Sequence, residues 1–301
     1  MDQIPATPKL KRLRLKAITR LGFARPNAAG LAASEAAALR LRNARRGETW
    51  TRPDHITFLI PLVGPGSVRN WGKVTELLAY TLRSLIIQSN ENWRAIVCCQ
   101  EKPPLTADIR ISHLPFDDPT PGNDKWRKLQ KLYEYLAKTE TSAGLAMTFD
   151  GDDRAAPTLV EQLLNAPSGA LLTHGFVYDA AHKRLALARP QSLREPGAKA
   201  FWKLCGSCLA LPFDPAAPSS KEQMSFLHDM SQHEHRMGPY LASLSGTHLT
   251  KMADPQALYL LNQGENFGER RGRVSFKTRF VKRFEIKDPE VRNFVEEIYR
   301  V

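Results

Sequence analysis

Beyond Pro53 the chain sets short apolar runs between amphipathic stretches, and this alternation limits the fold more than any other feature. Residues 56–62, 93–99 and 144–149 are almost wholly apolar, and the first is closed by proline. Such runs read as strands buried on both faces, with 109–114 as a weaker companion. Between them, Leu78, Leu82, Leu85 and Ile86 recur at helical spacing over 76–88. Trp126, Leu129, Leu132, Tyr133 and Leu136 do so over 124–138, with Asp124 placed to cap. Pro157 opens another helix through Leu164. Strands alternating with helices predict an α/β fold, a mostly parallel or mixed sheet flanked by helices, with a smaller second half.

The second half is less regular. Residues 171–178 and 184–188 predict a hairpin, and 201–211 is a further apolar stretch. Asp288 and Pro289 open a terminal helix with Val291, Phe294, Val295 and Ile298 expected to face inward. No run of about 18 apolar residues predicts a membrane span, and the basic N-terminus is not followed by a signal-type apolar stretch.

The formal charge of +12 is unevenly placed. Residues 1–52 hold twelve Lys and Arg against three acids, a net +9, so the rest carries only +3. Three regions follow: a basic, partly helical extension (1–52), a main domain (53–270) and a basic C-terminal segment with its helix (271–301). Within the extension, Leu10, Leu13, Leu15, Ile18 and Leu21 alternate with Lys and Arg, followed by an alanine-rich helix over 28–46. The pattern reads as a solvated, partly disordered extension or as peripheral contact with an anionic membrane through residues 9–46. Nucleic acid is a poor fit, because aromatic residues for base stacking are nearly absent there.

Cys98-Cys99 and the pair Cys205 and Cys208 read as buried structural thiols, which fit a reducing cytoplasm. Zinc would need a second pair or histidines nearby in sequence. A redox pair would sit at the start of a helix, whereas here a strand follows.

The 144–149 strand runs directly into Asp150-Gly151-Asp152-Asp153. Carboxylates this close repel unless a cation or basic groups compensate, and hard oxygen ligands suit Mn²⁺ or Mg²⁺. In α/β sheets ligands bind where strand ends and loops converge, which is where this turn falls.

The 56–62 strand, the helix ending Ser84-Leu85-Ile86-Ile87-Gln88, Asn92-Trp93-Arg94 before a strand, and Asp124-Lys125 with Lys128 ahead of the Asp-x-Asp-Asp turn resemble family-two glycosyltransferases. The resemblance covers roughly 54–165. It implies a GT-A fold and transfer of a sugar from a nucleotide-diphosphate donor to a glycan or lipid-linked hydroxyl, with inversion. It further implies Asp152 as direct metal ligand, Asp150 at the donor ribose or metal shell, and a lesser role for Asp153. Pro61, Asp124 and Lys125 would lie near the nucleotide. The loop 63–73 carries no acid, unlike many members.

Inverting transfer needs a carboxylate base. The segment 228–236 offers Glu234 first and Asp229 second, with His233 or His235 to orient the base, hold the acceptor or reach the metal. Asn266, in 262–268, would face sugar hydroxyls. Two other readings compete: a non-catalytic basic binding protein, and a phosphohydrolase with Asp150 as nucleophile.

Overall fold

The computed structural model describes residues 3–265 and 275–301. Strand β1 (His55–Pro61) is buried from its second residue onward and lies inside the main sheet. It pairs in parallel with β2 (Trp93–Cys99) on one side and β4 (Gly144–Thr148) on the other. The connections are helical. α3 (Trp71–Ile86) joins β1 to β2, and α4 (Lys125–Thr139) lies between β3 (Ile111–Pro115) and β4. Seven strands form this sheet in the order β10-β6-β9-β4-β1-β2-β3. They include β6 (Ala170–Leu172), β9 (Leu209–Phe213) and β10 (Thr250–Met252). β9 runs antiparallel to both neighbours, and the other pairings are parallel. The class is therefore α/β with a mixed sheet flanked by helices.

A second sheet of four strands, β5-β11-β7-β8, packs beside the first. It comprises β5 (Arg154–Ala155), β7 (Gly175–Asp179), β8 (Arg184–Ala188) and β11 (Ala257–Leu261). The expected hairpin is β7–β8, but the 171–178 run does not form one strand. Its first residues join the main sheet as β6 and the rest cross to the second sheet as β7. Thr173 marks the crossing: its Oγ1 donates to the Met252 carbonyl at 2.6 Å.

Three helical expectations are corrected. α3 begins at Trp71 rather than 76, because the Asn70 side chain accepts from the Lys73 N–H and caps it. Asp124 makes no side-chain cap to α4. Its carboxylate turns inward to Lys128 Nζ (2.8 Å) and Gln100 Nε2 (2.6 Å), and a buried ammonium outcompetes a backbone N–H. In the terminal helix (Pro289–Tyr299), Val295 and Tyr299 are buried, whereas Val291 and Phe294 are exposed and Ile298 is half-buried. The four-residue step from Val295 to Tyr299 sets the face.

The described part of the N-terminal segment packs on the body of the protein. α1 (Lys9–Arg20) packs on α7 (Gly238–Ser245), and α2 (Ala33–Ala44) packs on α6 (Ser220–Met230) and α7. The Glu35 side chain is fully buried there. It accepts from Thr7 Oγ1 (2.8 Å), Tyr240 Oη (2.8 Å) and the Ala32 N–H (3.0 Å). Three donors compensate the desolvation of one carboxylate. No described helix is long and apolar enough to cross a membrane.

Candidate functional site

A cavity of about 490 Å³ opens over the carboxyl ends of β1 and β4. The strand-end wall is Pro61, Asp124, Lys125, Asp150 and Asp152; the lining also includes Glu234, His235, Tyr259, Gln263 and Lys277. Parallel strands end together on one side of a sheet, which is why residues far apart in sequence share the first wall.

The acidic turn is held from below. The Asp150 N–H donates to Ser207 Oγ at 2.8 Å, and that hydroxyl donates to Asp153 Oδ2 at 2.6 Å. The Cys205 thiol approaches the same oxygen at 3.1 Å. Asp153 is therefore the buried foot of the turn rather than a lesser cavity carboxylate, and its side chain is fully enclosed. Burial, and then the charges of Asp152 and Asp150, push its pKa well up and favour the neutral acid. The thiols are buried, as expected, and burial raises the pKa of Cys205 well above the ordinary thiol.

The two glycines are selected by space, not by φ. A Cβ on Gly151 would meet Leu62 Cδ1 at 2.9 Å, and one on Gly206 would meet Asp150 Oδ2 at 3.2 Å. Neither residue has positive φ. Gly151 thus permits close approach of the turn to the end of β1, not a left-handed bend.

At the rim, Lys125 Nζ lies 2.6 Å from Asp150 Oδ1. Burial alone would raise the Asp150 pKa and lower that of Lys125. Their mutual attraction outweighs it, so Asp150 moves down and Lys125 up. Asp152 moves the other way. Burial and the Asp150 charge raise its pKa to about 6, against a hydrogen bond from Gln263 Nε2 at 3.1 Å. Lys128, fully buried behind this wall, donates to the Leu62 carbonyl (2.6 Å), Gln100 Oε1 (2.8 Å) and the Asp124 carboxylate. One ammonium thereby joins the end of β1, the end of β2 and the start of α4.

The rest of the lining comes from the second half of the chain. Glu234 lines the cavity just ahead of a short 3₁₀ turn (His235–Met237). His235 also lines it, and its Nε2 is buried with no hydrogen-bond partner among the described residues. Burial first, then Lys125, Arg236 and Lys277, lower its pKa to about 3, so the ring is neutral. Lys277 lies on α8 (Ser275–Arg283) and donates to Tyr259 Oη at 2.6 Å; burial pulls its pKa down. The C-terminal segment therefore builds the cavity rather than trailing from it.

Two other candidates lie elsewhere. Asp229 does not line the cavity; it pairs with His228 Nδ1 at 3.1 Å and approaches Arg40 at 4.0 Å. His233 turns away, its Nε2 2.7 Å from Ser34 Oγ. There it braces the N-terminal segment, where Ile4 N–H donates to the Gln232 carbonyl. Asn266 lies outside the described residues. The loop 63–73, which carries no acid, is met by one from a distant segment: Glu265 accepts from the N–H groups of Asn70 (3.0 Å) and Arg69 (3.4 Å).

Among the described residues, no group of three or more His, Cys, Asp or Glu side chains is set to hold a metal. Asp150 and Asp152 nevertheless share one cavity wall, and Mg²⁺ and Mn²⁺ commonly take one or two carboxylates with the remaining ligands from phosphate and water. The donor set fits a divalent ion that arrives with a phosphorylated ligand.

Sequence reasoning does not single out Ser207, Gln263, Glu265 or Lys277. For Ser207 a signal existed: the small pair Gly206-Ser207 between two thiols marks a close backbone approach. Gln263 and Glu265 fall in the 262–268 segment expected near the site, where Asn266 is the residue named; nothing near Lys277 in sequence points to the turn.

No protein-family model matches this chain, and no curated protein matches it.

Proposed function

We propose that this protein is a metal-dependent glycosyltransferase of GT-A type. It would move a sugar from a nucleotide-diphosphate donor to a hydroxyl of a glycan or lipid-linked acceptor, with inversion. One observation carries the reading. Asp150 and Asp152, just past the end of a central strand, line one cavity together with Glu234. Residues at the end of the main sheet and Tyr259 of the second sheet line that cavity, which suits a donor side and an acceptor side.

In this reading Asp152 and Asp150 would hold Mn²⁺ or Mg²⁺, which would supply positive charge to balance the departing diphosphate. Lys125 keeps Asp150 ionised and contributes positive charge beside the phosphates. Pro61, Asp124 and Lys125 border the nucleotide. Glu234 accepts the proton of the acceptor hydroxyl as its oxygen bonds to the anomeric carbon and the bond to the diphosphate oxygen breaks. Neutral His235, with an unpartnered buried nitrogen, hydrogen-bonds a substrate oxygen.

Thermal shift across a panel of nucleotide sugars, with and without Mn²⁺, tests the donor and metal. The midpoint should rise only when both are present. A panel without such a pair sinks the reading. Glu234→Gln should keep that shift and lose roughly 10²-fold or more in transfer, and undiminished transfer removes Glu234 as base.

A further inference from the structure

An amphipathic surface helix normally turns its apolar stripe to the protein and its charges to water. α1 does so only in part. Its inward face is Arg12, Leu15 and Thr19 at helical spacing: Thr19 is buried, Leu15 packs on the core, and Arg12 sits 5.8 Å over the Tyr240 ring. The opposite face is apolar too. Leu10, Leu13, Ala17 and Leu21 follow one another at three- and four-residue steps and form a single outward stripe. Leu10 is 82%, Leu13 65% and Leu21 69% exposed, and Phe23, just past the Gly22 turn, is 75% exposed.

Charge completes the pattern. The helix carries six Lys and Arg and no acid. By helical position Lys11 and Arg14 border the stripe on one side, and Lys9, Lys16 and Arg20 on the other; all five are exposed. An apolar stripe edged by cations on both sides matches an anionic bilayer, where leucines enter the acyl boundary and cations meet headgroups. A duplex backbone offers nothing for the leucines, and a soluble face would not expose them. α2 is not part of this surface, because its apolar residues are buried against α6 and α7.

We propose that the outward face of α1, with Phe23, docks this protein on an anionic lipid surface. The helix is fixed to the body, so docking orients the whole molecule. From Lys9 the chain runs back past Thr7, tied to Glu35, to Gln3 on the cavity lining. Six residues span at most about 20 Å, so the lipid surface lies close to the cavity. Only the consequence for a lipid-linked acceptor rests on the transferase reading; the surface itself does not.

Co-sedimentation of the full chain with vesicles tests it without turnover, so failure here leaves the cavity reading standing, and the reverse. Vesicles of phosphatidylcholine alone are compared with vesicles holding roughly a third phosphatidylglycerol. Binding should be about tenfold or more stronger to the mixed vesicles and should fall with salt. The triple variant Leu10→Asn, Leu13→Asn, Phe23→Asn should lose about tenfold with its thermal midpoint unchanged. The variant Arg14→Gln, Lys16→Gln, Arg20→Gln should lose the preference for anionic lipid. Equal binding to both vesicles, or full binding by the leucine variant, overturns the proposal. So does binding to duplex DNA, without vesicle binding, that the arginine variant loses and the leucine variant keeps.

Discussion

The two walls of the cavity are built on different principles. The acidic wall sits on the ends of consecutive parallel strands, and its side chains are tied by short hydrogen bonds through Ser207, Lys125 and Lys128. The rest of the lining draws Glu234 from just before a 3₁₀ turn, Gln263 from just past a strand and Lys277 from a C-terminal helix. The first wall holds its geometry through buried charge, at the cost of strong sensitivity to single changes.

The strongest way to break the contrast is Lys128→Met. It strips a buried ammonium from Asp124, Gln100 and the Leu62 carbonyl, leaving a partly buried carboxylate uncompensated. Denaturant unfolding should show a loss of about 3–5 kcal/mol. A change below about 1 kcal/mol would mean the wall stands without that cation. Ser207→Ala removes the link between Asp150 and Asp153 and should cost about 1–3 kcal/mol. Donor binding should weaken with it.

Asp152 tests the conflict between stability and function. Its folded pKa of about 6 lies above the ordinary 3.8, so the native state binds this proton more tightly than the unfolded chain. The stabilisation is fully present below pH 3.8 and is lost as pH rises through about 6. Asp152→Asn should therefore raise the metal-free thermal midpoint at neutral pH while abolishing metal-dependent donor binding; a lowered midpoint contradicts the repulsion. In the unaltered protein, metal-assisted binding should fall as pH drops through about 6, since the proton competes for the same carboxylate. The smallest effect is expected at Asp229→Asn, outside the cavity. Stability should shift by less than about 0.5 kcal/mol, and transfer should not change.

The same contrast explains what could be read from sequence. Apolar runs report burial directly, so β1, β2 and β4 were legible almost to the residue, as was the position of Asp150 at a strand end. Local hydrophobicity cannot say which sheet a strand joins, and 171–178 was divided between two. Nor does it tell a cap from an ion pair: Asp124 has the right residue type for an N-cap, yet Lys128 one turn on claims its carboxylate. In the second half, proximity in sequence misleads. Asp229, His233 and Glu234 lie within six positions, but only Glu234 reaches the cavity, because α6 ends between them and the chain turns. Helical periodicity also overstates the terminal helix, which has one shallow surface to cover and leaves Phe294 in water.

Cys205 gives the acidic wall a built-in clock. Its thiol is enclosed and its pKa is far above neutrality, so it cannot meet an alkylating reagent while Ser207 and Asp153 are in place. Each labelling event must wait for the turn to lift from its footing. The rate of modification under native conditions thus counts those openings, and a ligand that grips Asp150 and Asp152 from above would slow the count.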